Sequence, residues 1–340
     1  MNEQISLRIS FLRFFLIIQV VIIHSYGFFL EPVKKDYTFW FQTYFSNVIS
    51  RVAVPLFFII SSYLLFLKIK SISFQDYKSI ISKKVLTLFI PHIIWNSFYL
   101  LFFYIIHQLL NYPYPFHFNS LIDALWGLSR EPVAYQFWFI RDLFTLTLFF
   151  PLFFFSYNFL KIIPTLIMGV MWLFNIPLSI GYLWTEGIFF FMVGHVLAQN
   201  QNSLKYSSKY SIYIYLLLSV IDLVFQVLQY DYSMPIHRLT ILFGIFAFWS
   251  LSDLLHPTLI LKKDAVFKYA QLSFGIFALH QPILISFLKK ISIYISTKIS
   301  EIFLIPLYII AIIITVFICI QLTSFIKRAF PKTSSILFGR

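Results

Sequence analysis

The chain has 340 residues, of which 60% are hydrophobic, 21% aromatic and only 11% charged. Soluble domains carry about 25% charged residues, so this composition cannot coat a water-soluble globule, and its hydrophobicity excludes a disordered chain. The formal net charge of +13 would favour nucleic-acid binding in a soluble protein, but in a membrane protein it first reports orientation. We therefore interpret residues 1–340 as a single polytopic membrane domain with no nucleic-acid partner.

Ten apolar stretches approach the length of about 20 residues that a spanning helix needs. They predict an all-α bundle of about ten transmembrane helices at 9–30, 46–67, 85–107, 138–157, 162–180, 184–200, 211–230, 238–255, 270–288 and 302–326. Pro164, Pro177 and Gly181 interrupt the fifth and sixth stretches, so that region allows a different division.

Lysine and arginine are distributed unevenly between the two sides of this bundle. With the N-terminus in the cytoplasm, 16 of them fall in inner segments, 7 in outer segments and 3 within or at the edges of spans. Cytoplasmic loops carry the surplus positive charge in membrane proteins, so both termini are predicted to be cytoplasmic. The longest outer loop, 108–137, is of a length that often caps a site.

Two ionisable residues share one face of the first predicted span. Arg13 and His24 are 11 residues apart, and at about 100° per residue this separation lies within about 20° of three full turns. They are therefore about 16 Å apart along one stripe of the helix. Charged groups inside spans are costly, which makes the pair a functional candidate. A snorkelling arginine and a hydrogen-bonded core histidine are the alternative.

The arrangement Arg13-x10-His24 resembles the first-span signature of the acyltransferase-3 family of integral membrane O-acyltransferases. Four further segments are similar to segments of that family and follow in its order: VPLFFIISSY at 54–63, FWFI at 137–140, FFMVG at 190–194 and SFGIFALHQP at 273–282. The chain departs from the family pattern at Ser62, where glycine is usual, and at Lys83 and Lys84, where arginine is common.

The resemblance implies transfer of an acyl group, usually acetyl, from cytoplasmic acyl-coenzyme A to a hydroxyl of a cell-envelope polysaccharide or lipid-linked sugar. It also implies a multi-pass protein of the bacterial inner membrane, with acetyl-CoA or another acyl-CoA as substrate and no permanently bound cofactor. His24 is the expected general base, because an imidazole titrates near neutral pH. Arg13 is the expected donor-binding residue, because guanidinium binds phosphate in a planar fork.

Other charged residues in or near spans are given supporting roles. Arg51 is expected to bind oxygens of the donor or of the acceptor, or to stabilise the oxyanion of the tetrahedral intermediate. His280 matches the second histidine of the family and is expected to orient His24, to bind acceptor hydroxyls or to hydrogen-bond across helices. Arg141 and Asp142 are expected to bind the acceptor or to pair with each other.

Two acidic residues are candidates to orient His24 through its second nitrogen, as carboxylates do in catalytic triads. They are Glu186 and Asp222, and spacing does not choose between them. His237 and other histidines at span ends are interpreted as ordinary interfacial residues. No metal-ligand spacing occurs among the histidines, so no metal site is expected.

The sequence leaves two alternatives open. Acyl transfer could be direct, through one tunnel that joins both faces, or could pass through an acyl-enzyme on His24. A transporter or flippase for a lipid-linked or glycan substrate is the competing function, because buried charges also line translocation paths. Transporters often show two related halves with broken helices, and no such symmetry is visible in this sequence.

Overall fold

The structure is a computed structural model that describes residues 3–110, 120–176, 182–201 and 207–339. Over these ranges the chain is helical and contains no β-strand, as the sequence predicts. The α-helices are α1 (Glu3–His24), α2 (Tyr37–Gln42), α3 (Ala53–Phe66), α4 (Phe74–Lys84), α5 (Ile90–Leu110), α6 (Leu121–Trp126), α7 (Trp138–Leu148), α8 (Phe150–Leu160), α9 (Ile163–Leu173), α10 (Thr185–Gln199), α11 (Lys209–Leu228), α12 (Ser233–Leu254), α13 (His256–Leu261), α14 (Lys263–Ala270), α15 (Ser273–Leu279), α16 (Ile285–Lys298), α17 (Leu304–Ala329) and α18 (Pro331–Leu337).

Seven helical segments in the described ranges are long and apolar enough to cross a membrane. An eighth is added if α7 and α8, which are bent by 58° against each other, count as one span. Every one of the ten predicted stretches contains a helix, but the prediction of ten crossing helices is not confirmed. The multi-pass, all-helical character of the chain is confirmed.

The shortfall lies in the two helices that follow α8. Helix α9 has 11 residues, or about 16 Å at 1.5 Å per residue, against a hydrocarbon core of about 30 Å. Lys161 ends α8, and Asn175 follows α9. Both residues have positive φ angles, 53° and 57°. Helix α10 has 15 residues. Pro177 and Gly181, which the sequence marks as interruptions, lie outside the described residues.

Helix α1 lies in the middle of the bundle and packs against α3, α12, α14, α15 and α17. Its core-facing residues Leu12, Leu16 and Val21 are fully buried. At its first turns the buried Arg8 forms an ion pair with Asp253, with Nη1 and Oδ1 3.0 Å apart. This pair places the start of α1 beside the end of α12.

The end of α1 is held by a clamp around Gln42, the last residue of α2. The backbone N–H groups of Gly27 and Phe28 donate to Gln42 Oε1 over 3.1 and 2.9 Å, and Gln42 Nε2 donates to the carbonyl of Phe28 over 2.8 Å. Gly27 has a φ of +104°, which a residue with a side chain rarely adopts. The chain therefore reverses sharply just after His24, and α1 ends inside the bundle.

Two segments that carry the family resemblance pack directly against each other. They are α3 and α10, which approach most closely at Gly194. A Cβ atom added at Gly194 would lie 2.4 Å from the carbonyl oxygen of Ile59 and 2.7 Å from Cβ of Ser62. Ser62 Oγ also donates to the backbone carbonyl of Phe191 over 2.5 Å. A small residue at 194 therefore permits the close approach that sets the position of α3.

Two spans are irregular where they meet the end of α1. A π-helical turn, Thr43–Val48, and a 3-10 turn, Ile49–Val52, precede α3. A second π-helical turn, His280–Leu284, separates α15 from α16 and contains Gln281 at φ −130° and ψ 160°, outside the helical region. Irregular backbone at membrane depth occurs where it is buried in protein or lines a cavity, and such turns are frequent at functional sites.

Candidate active site

His24 is the last residue of α1 and is half-buried within the bundle. Its Nδ1 atom lies 3.0 Å from the hydroxyl of Tyr135, a residue of the 3-10 turn Tyr135–Phe137 that precedes α7. When Nδ1–H donates to this oxygen, Nε2 retains a free lone pair, the form of imidazole that a general base needs. Within the described ranges, no residue forms a hydrogen bond with Nε2 of His24.

His280 lies beside His24, with ring centroids 5.2 Å apart. It is fully buried, and its Nδ1–H donates to the carbonyls of Ile276 and Phe277 over 3.0 and 2.9 Å. These bonds fix the tautomer and leave Nε2 as an acceptor, which is buried and has no protein partner in the described chain. His280 forms no hydrogen bond with His24 or with a side chain of another helix among the described residues, so its expected roles stay predictions.

Two glutamines connect the helix break at His280 to the turn that carries Tyr135. Gln136 Nε2 donates to the backbone carbonyl of Gln281 over 2.7 Å. Gln281 Nε2 in turn lies 3.5 Å from the carbonyl of His24. The Gln136 side chain is buried, and no described residue hydrogen-bonds to its Oε1 atom. Two buried acceptors therefore lack a partner among the described residues, and the one on Gln136 belongs to a residue that lines a cavity, where a ligand can satisfy it.

A narrow cavity of about 160 Å³ runs along α1 and is lined by both Arg13 and His24. We call it the Arg13 cavity. Ile17 and Val20 complete the α1 side, at the spacing of a single helix face, and Gln136 belongs to the facing wall. The structure therefore brings together the two residues that the sequence places on one stripe.

The Arg13 end of this cavity carries further positive charge. Arg13 is exposed, and Lys84 lies within electrostatic range of both Arg13 and Lys68. Lys84 is one of the two lysines that stand where the family commonly has arginine. Arg13 alone of these three lines the cavity, and the two lysines add positive charge near it, which favours the approach of an anion.

A second and larger cavity, of about 560 Å³, also borders His24 and shares Val20, Val54 and Trp138 with the first. We call it the Arg51 chamber. Arg51 is exposed there and donates from Nη2 to Asn47 Oδ1 over 2.8 Å, while Glu186 accepts a hydrogen bond of 3.3 Å from Trp172 Nε1. The chamber is also lined by Trp138, Trp184, Gln226, His237 and Arg238.

Arg141 and Asp142 lie away from His24. Both are buried, and Arg141 Nε is 2.8 Å from Asp142 Oδ1, so they form the neighbouring ion pair that the sequence allows. Arg141 also donates to the carbonyl of Gly127 and lies over the ring of Tyr182, 4.2 Å from its centroid. It lines a third cavity of about 630 Å³, the Arg141 vestibule, which shares Glu186 with the Arg51 chamber.

Neither carboxylate that the sequence offers for orienting His24 bonds to it. Glu186 shares the Arg51 chamber with His24, but its hydrogen bond is to Trp172. Asp222 is fully buried and pairs with His237, whose Nδ1 lies 2.7 Å from Asp222 Oδ2. Tyr135 takes the orienting position instead. His237, interpreted from sequence as an interfacial histidine, lies in the chamber wall.

The loop that leads to Tyr135 is held by Asp123 of α6. Its carboxylate accepts hydrogen bonds from the backbone N–H and the hydroxyl of Ser129, over 2.8 and 2.7 Å. These bonds lower the pKa of Asp123, because they stabilise the ionised carboxylate. Part of the predicted capping loop, residues 111–119, lies outside the described residues.

No group of three His, Cys, Asp or Glu side chains in the described ranges is arranged to hold a metal ion. The site consists instead of one imidazole that lies between a cationic, narrow cavity and a wider chamber with polar and aromatic walls. Such a site can deprotonate a hydroxyl in one compartment next to a group delivered from the other.

Comparison with known proteins identifies the family. The family described as "Acyltransferase domain" matches residues 7–324, nearly the whole chain. The succinoglycan biosynthesis protein ExoH of Rhizobium meliloti (strain 1021) is 27% identical over 307 residues, which cover 84% of this chain and 80% of that protein. No solved structure matches the chain. The chain therefore belongs to the acyltransferase-3 family of multi-pass membrane O-acyltransferases.

Proposed function

We propose that this protein transfers an acyl group, acetyl in the simplest case, from acyl-coenzyme A to a hydroxyl of an envelope polysaccharide or lipid-linked sugar. The observation that carries the proposal is the position of His24, which lines both the Arg13 cavity and the Arg51 chamber. One imidazole can therefore meet a donor from one side and an acceptor from the other. The relative named for succinoglycan biosynthesis supports a polysaccharide as the acceptor.

The Arg13 cavity fits the donor. Coenzyme A consists of a phosphate-bearing nucleotide, a slender pantetheine arm and a terminal thioester. Arg13, Lys84 and Lys68 supply positive charge for the phosphates, and a cavity of about 160 Å³ admits a thin chain but not the nucleotide. Gln136 Oε1, which is buried and unsatisfied by the described residues, can accept a hydrogen bond from an amide N–H of the arm. The thioester would then arrive at His24.

The Arg51 chamber fits the acceptor. Its volume of about 560 Å³ is within the usual range for small-molecule sites, about 300–1,000 Å³. Trp138 and Trp184 offer flat apolar faces, and Asn47 and Glu186 offer polar groups that can fix hydroxyls. The Arg141 vestibule continues from this chamber, so Arg141 contacts an extended acceptor beyond the reacting sugar, while Asp142 holds Arg141 in place.

His24 acts as the general base in this reaction. Its Nε2 takes the proton of the acceptor hydroxyl as the oxygen attacks the thioester carbonyl, and Tyr135 accepts the hydrogen bond from Nδ1–H of the resulting imidazolium. The tetrahedral intermediate then breaks its carbon–sulfur bond, and the proton on Nε2 passes to the departing thiolate. Arg51, on the chamber side, supplies positive charge for the oxyanion.

A direct transfer is the route that we propose, because His24 is reachable from both cavities and no second step on the enzyme is required. In this proposal the Arg13 end faces the cytoplasm, where acyl-coenzyme A is made, and the Arg51 chamber faces the outside of the bacterial inner membrane. Membership of an acyltransferase family favours this enzyme over the transporter that the sequence also allowed.

The proposal is tested with purified protein, radiolabelled acetyl-coenzyme A and the envelope glycan of a strain that lacks the gene. We expect wild-type protein to transfer label to the glycan and His24→Gln to transfer none while remaining folded in the membrane. His195→Gln is the matched control, because His195 is a buried histidine that stacks on Phe66 with ring centroids 3.8 Å apart, outside both cavities. Label transfer by His24→Gln, or flux of glycan without acyl consumption by wild type, would overturn the proposal.

A further inference from the structure

An ionisable pair that the proposed mechanism does not use lies in the wall of the Arg51 chamber. Asp222 of α11 is fully buried, and both of its carboxylate oxygens have partners. Gln226 Nε2 donates to Oδ1 over 2.8 Å, and His237 Nδ1 of α12 lies 2.7 Å from Oδ2. A carboxylate at such a position is costly in a membrane helix, which makes the pair a candidate for a function.

The contact with Asp222 fixes the orientation of the His237 ring. Gln226 Nε2 also lies 3.0 Å from His237 Nδ1, but the shorter contact with a carboxylate acceptor favours the proton on Nδ1, and in the neutral ring Nε2 is then an acceptor. His237 lines the Arg51 chamber, and its side chain is 18% exposed. Nε2 has no hydrogen-bond partner among the described residues. The buried pair thus presents one oriented acceptor nitrogen to the same chamber that His24 lines.

A purely structural role would use only the Nδ1 side of the ring. The pair does join α11 to α12, but these two helices also pack along much of their length, and Thr240 and Tyr215 bond to backbone carbonyls across neighbouring elements. A structural link needs neither a partly exposed ring nor a free Nε2. An acceptor nitrogen held in a polar chamber is what recognition of a ligand hydroxyl requires.

We propose that His237 is a specificity-determining residue for the acceptor: its Nε2 receives a hydrogen bond from a sugar hydroxyl next to the one that is acylated. Asp222 is the positioning residue that fixes the tautomer and the ring. This inference rests on the proposed function and deepens it, because it assigns a polyhydroxylated ligand to the Arg51 chamber. No proton is transferred to His237, since His24 alone carries the proton from the acceptor oxygen to the thiolate.

Two substitutions separate this role from a structural one. In His237→Gln the amide group reaches the position of Nε2, whereas in His237→Asn it stays near the position of Nδ1 and can still bond to Asp222. If Nε2 of His237 is needed to bind the acceptor, glutamine should restore part of its function. If Nδ1 is needed only to satisfy Asp222, asparagine should restore it.

The experiment measures acyl transfer from radiolabelled acetyl-coenzyme A to oligosaccharides prepared from the unacylated envelope glycan of a deletion strain. We expect His237→Asn to raise the KM for the oligosaccharide about tenfold, the effect of losing one hydrogen bond, and His237→Gln to raise it less. The KM for acetyl-coenzyme A is expected to stay unchanged in both variants, because His237 does not line the Arg13 cavity.

The outcomes are distinguishable. An unchanged oligosaccharide KM in His237→Asn overturns the inference, and so does a rescue by asparagine but not by glutamine, which would show a structural pair. A rise in the KM for acetyl-coenzyme A equal to the rise in the KM for the oligosaccharide, in both variants, also overturns it. If wild-type protein transfers nothing to the glycan, the proposed function fails and this inference fails with it.

Discussion

The hydrogen bond between Tyr135 and His24 gives a sharp prediction for Tyr135→Phe. The substitution removes one hydroxyl and keeps the ring, which packs edge-on against the imidazole with centroids 5.1 Å apart. The lost bond spans 3.0 Å between Tyr135 Oη and His24 Nδ1. In the proposed mechanism Nδ1–H donates to this oxygen, and this bond would strengthen when His24 becomes an imidazolium in the transition state.

The magnitude follows from the difference between the two charge states. A neutral hydrogen bond contributes about 1 kcal/mol and one to a charged group about 1.5–3 kcal/mol. The transition state therefore loses on the order of 1.4 kcal/mol more than the ground state, which corresponds to a fall of about tenfold in kcat. Donor and acceptor KM are expected to change by less than about threefold, because the ground-state bond is worth less.

The assay is steady-state transfer from acetyl-coenzyme A to the envelope glycan, with donor and acceptor varied separately. Tyr44→Phe is the matched control, because it removes a tyrosine hydroxyl with a bond of the same length, 3.0 Å to Ser219 Oγ, outside the two cavities. An unchanged kcat in Tyr135→Phe would refute the role assigned to this tyrosine. So would an equal loss in the control.

Three further predictions concern packing, donor binding and pH. Gly194→Ala places a Cβ against the carbonyl of Ile59 and should destabilise the protein by about 1–3 kcal/mol. A lower unfolding temperature in detergent would show this loss, and an unchanged temperature contradicts the close approach of α3 and α10. Arg13→Ala should raise the KM for acetyl-coenzyme A at least tenfold and leave the KM for the glycan unchanged. The rise should be smaller at high salt, which screens the charge of Arg13. A rise in the KM for the glycan instead would contradict donor binding at Arg13. Asp123→Asn should lower the unfolding temperature by a constant amount from pH 8 to 5. The hydrogen bonds from Ser129 lower the pKa of Asp123, so the stability that the carboxylate contributes is fully present above its unfolded pKa, about 4, and is lost as the pH falls below it. A difference between variant and wild type that grows between pH 7 and 5 contradicts this assignment.

The sequence predicts the helices and the relation between Arg13 and His24 because both depend on local rules. Apolar stretches of sufficient length form helices in a bilayer, and residues 11 apart return to the same face. The structure shows a helix in each predicted stretch and one cavity along the shared face. The number of crossing helices was harder to predict. Positive φ angles at Lys161 and Asn175 bound α9 and keep it too short to cross.

The partners of His24 and His237 could not be predicted, because they depend on how helices pack. Tyr135 lies 111 residues from His24 in the chain. It belongs to a short 3-10 turn, which no periodic spacing of apolar residues predicts. His237 lies 15 residues from Asp222, and only the antiparallel pairing of two helices brings them together. A signal was present in the isolated carboxylate at Asp222, since a charge inside a span requires a partner.

The central claim is that His24 links a donor compartment to an acceptor compartment on the opposite side of the membrane. Proteoliposomes test it directly, with radiolabelled acetyl-coenzyme A supplied on one side and envelope glycan enclosed on the other. The account predicts that wild-type protein labels the glycan when the two are on opposite sides, and that His24→Gln, inserted to the same level, labels none. Labelling by His24→Gln, or labelling by wild type only when donor and acceptor share one side, would contradict it.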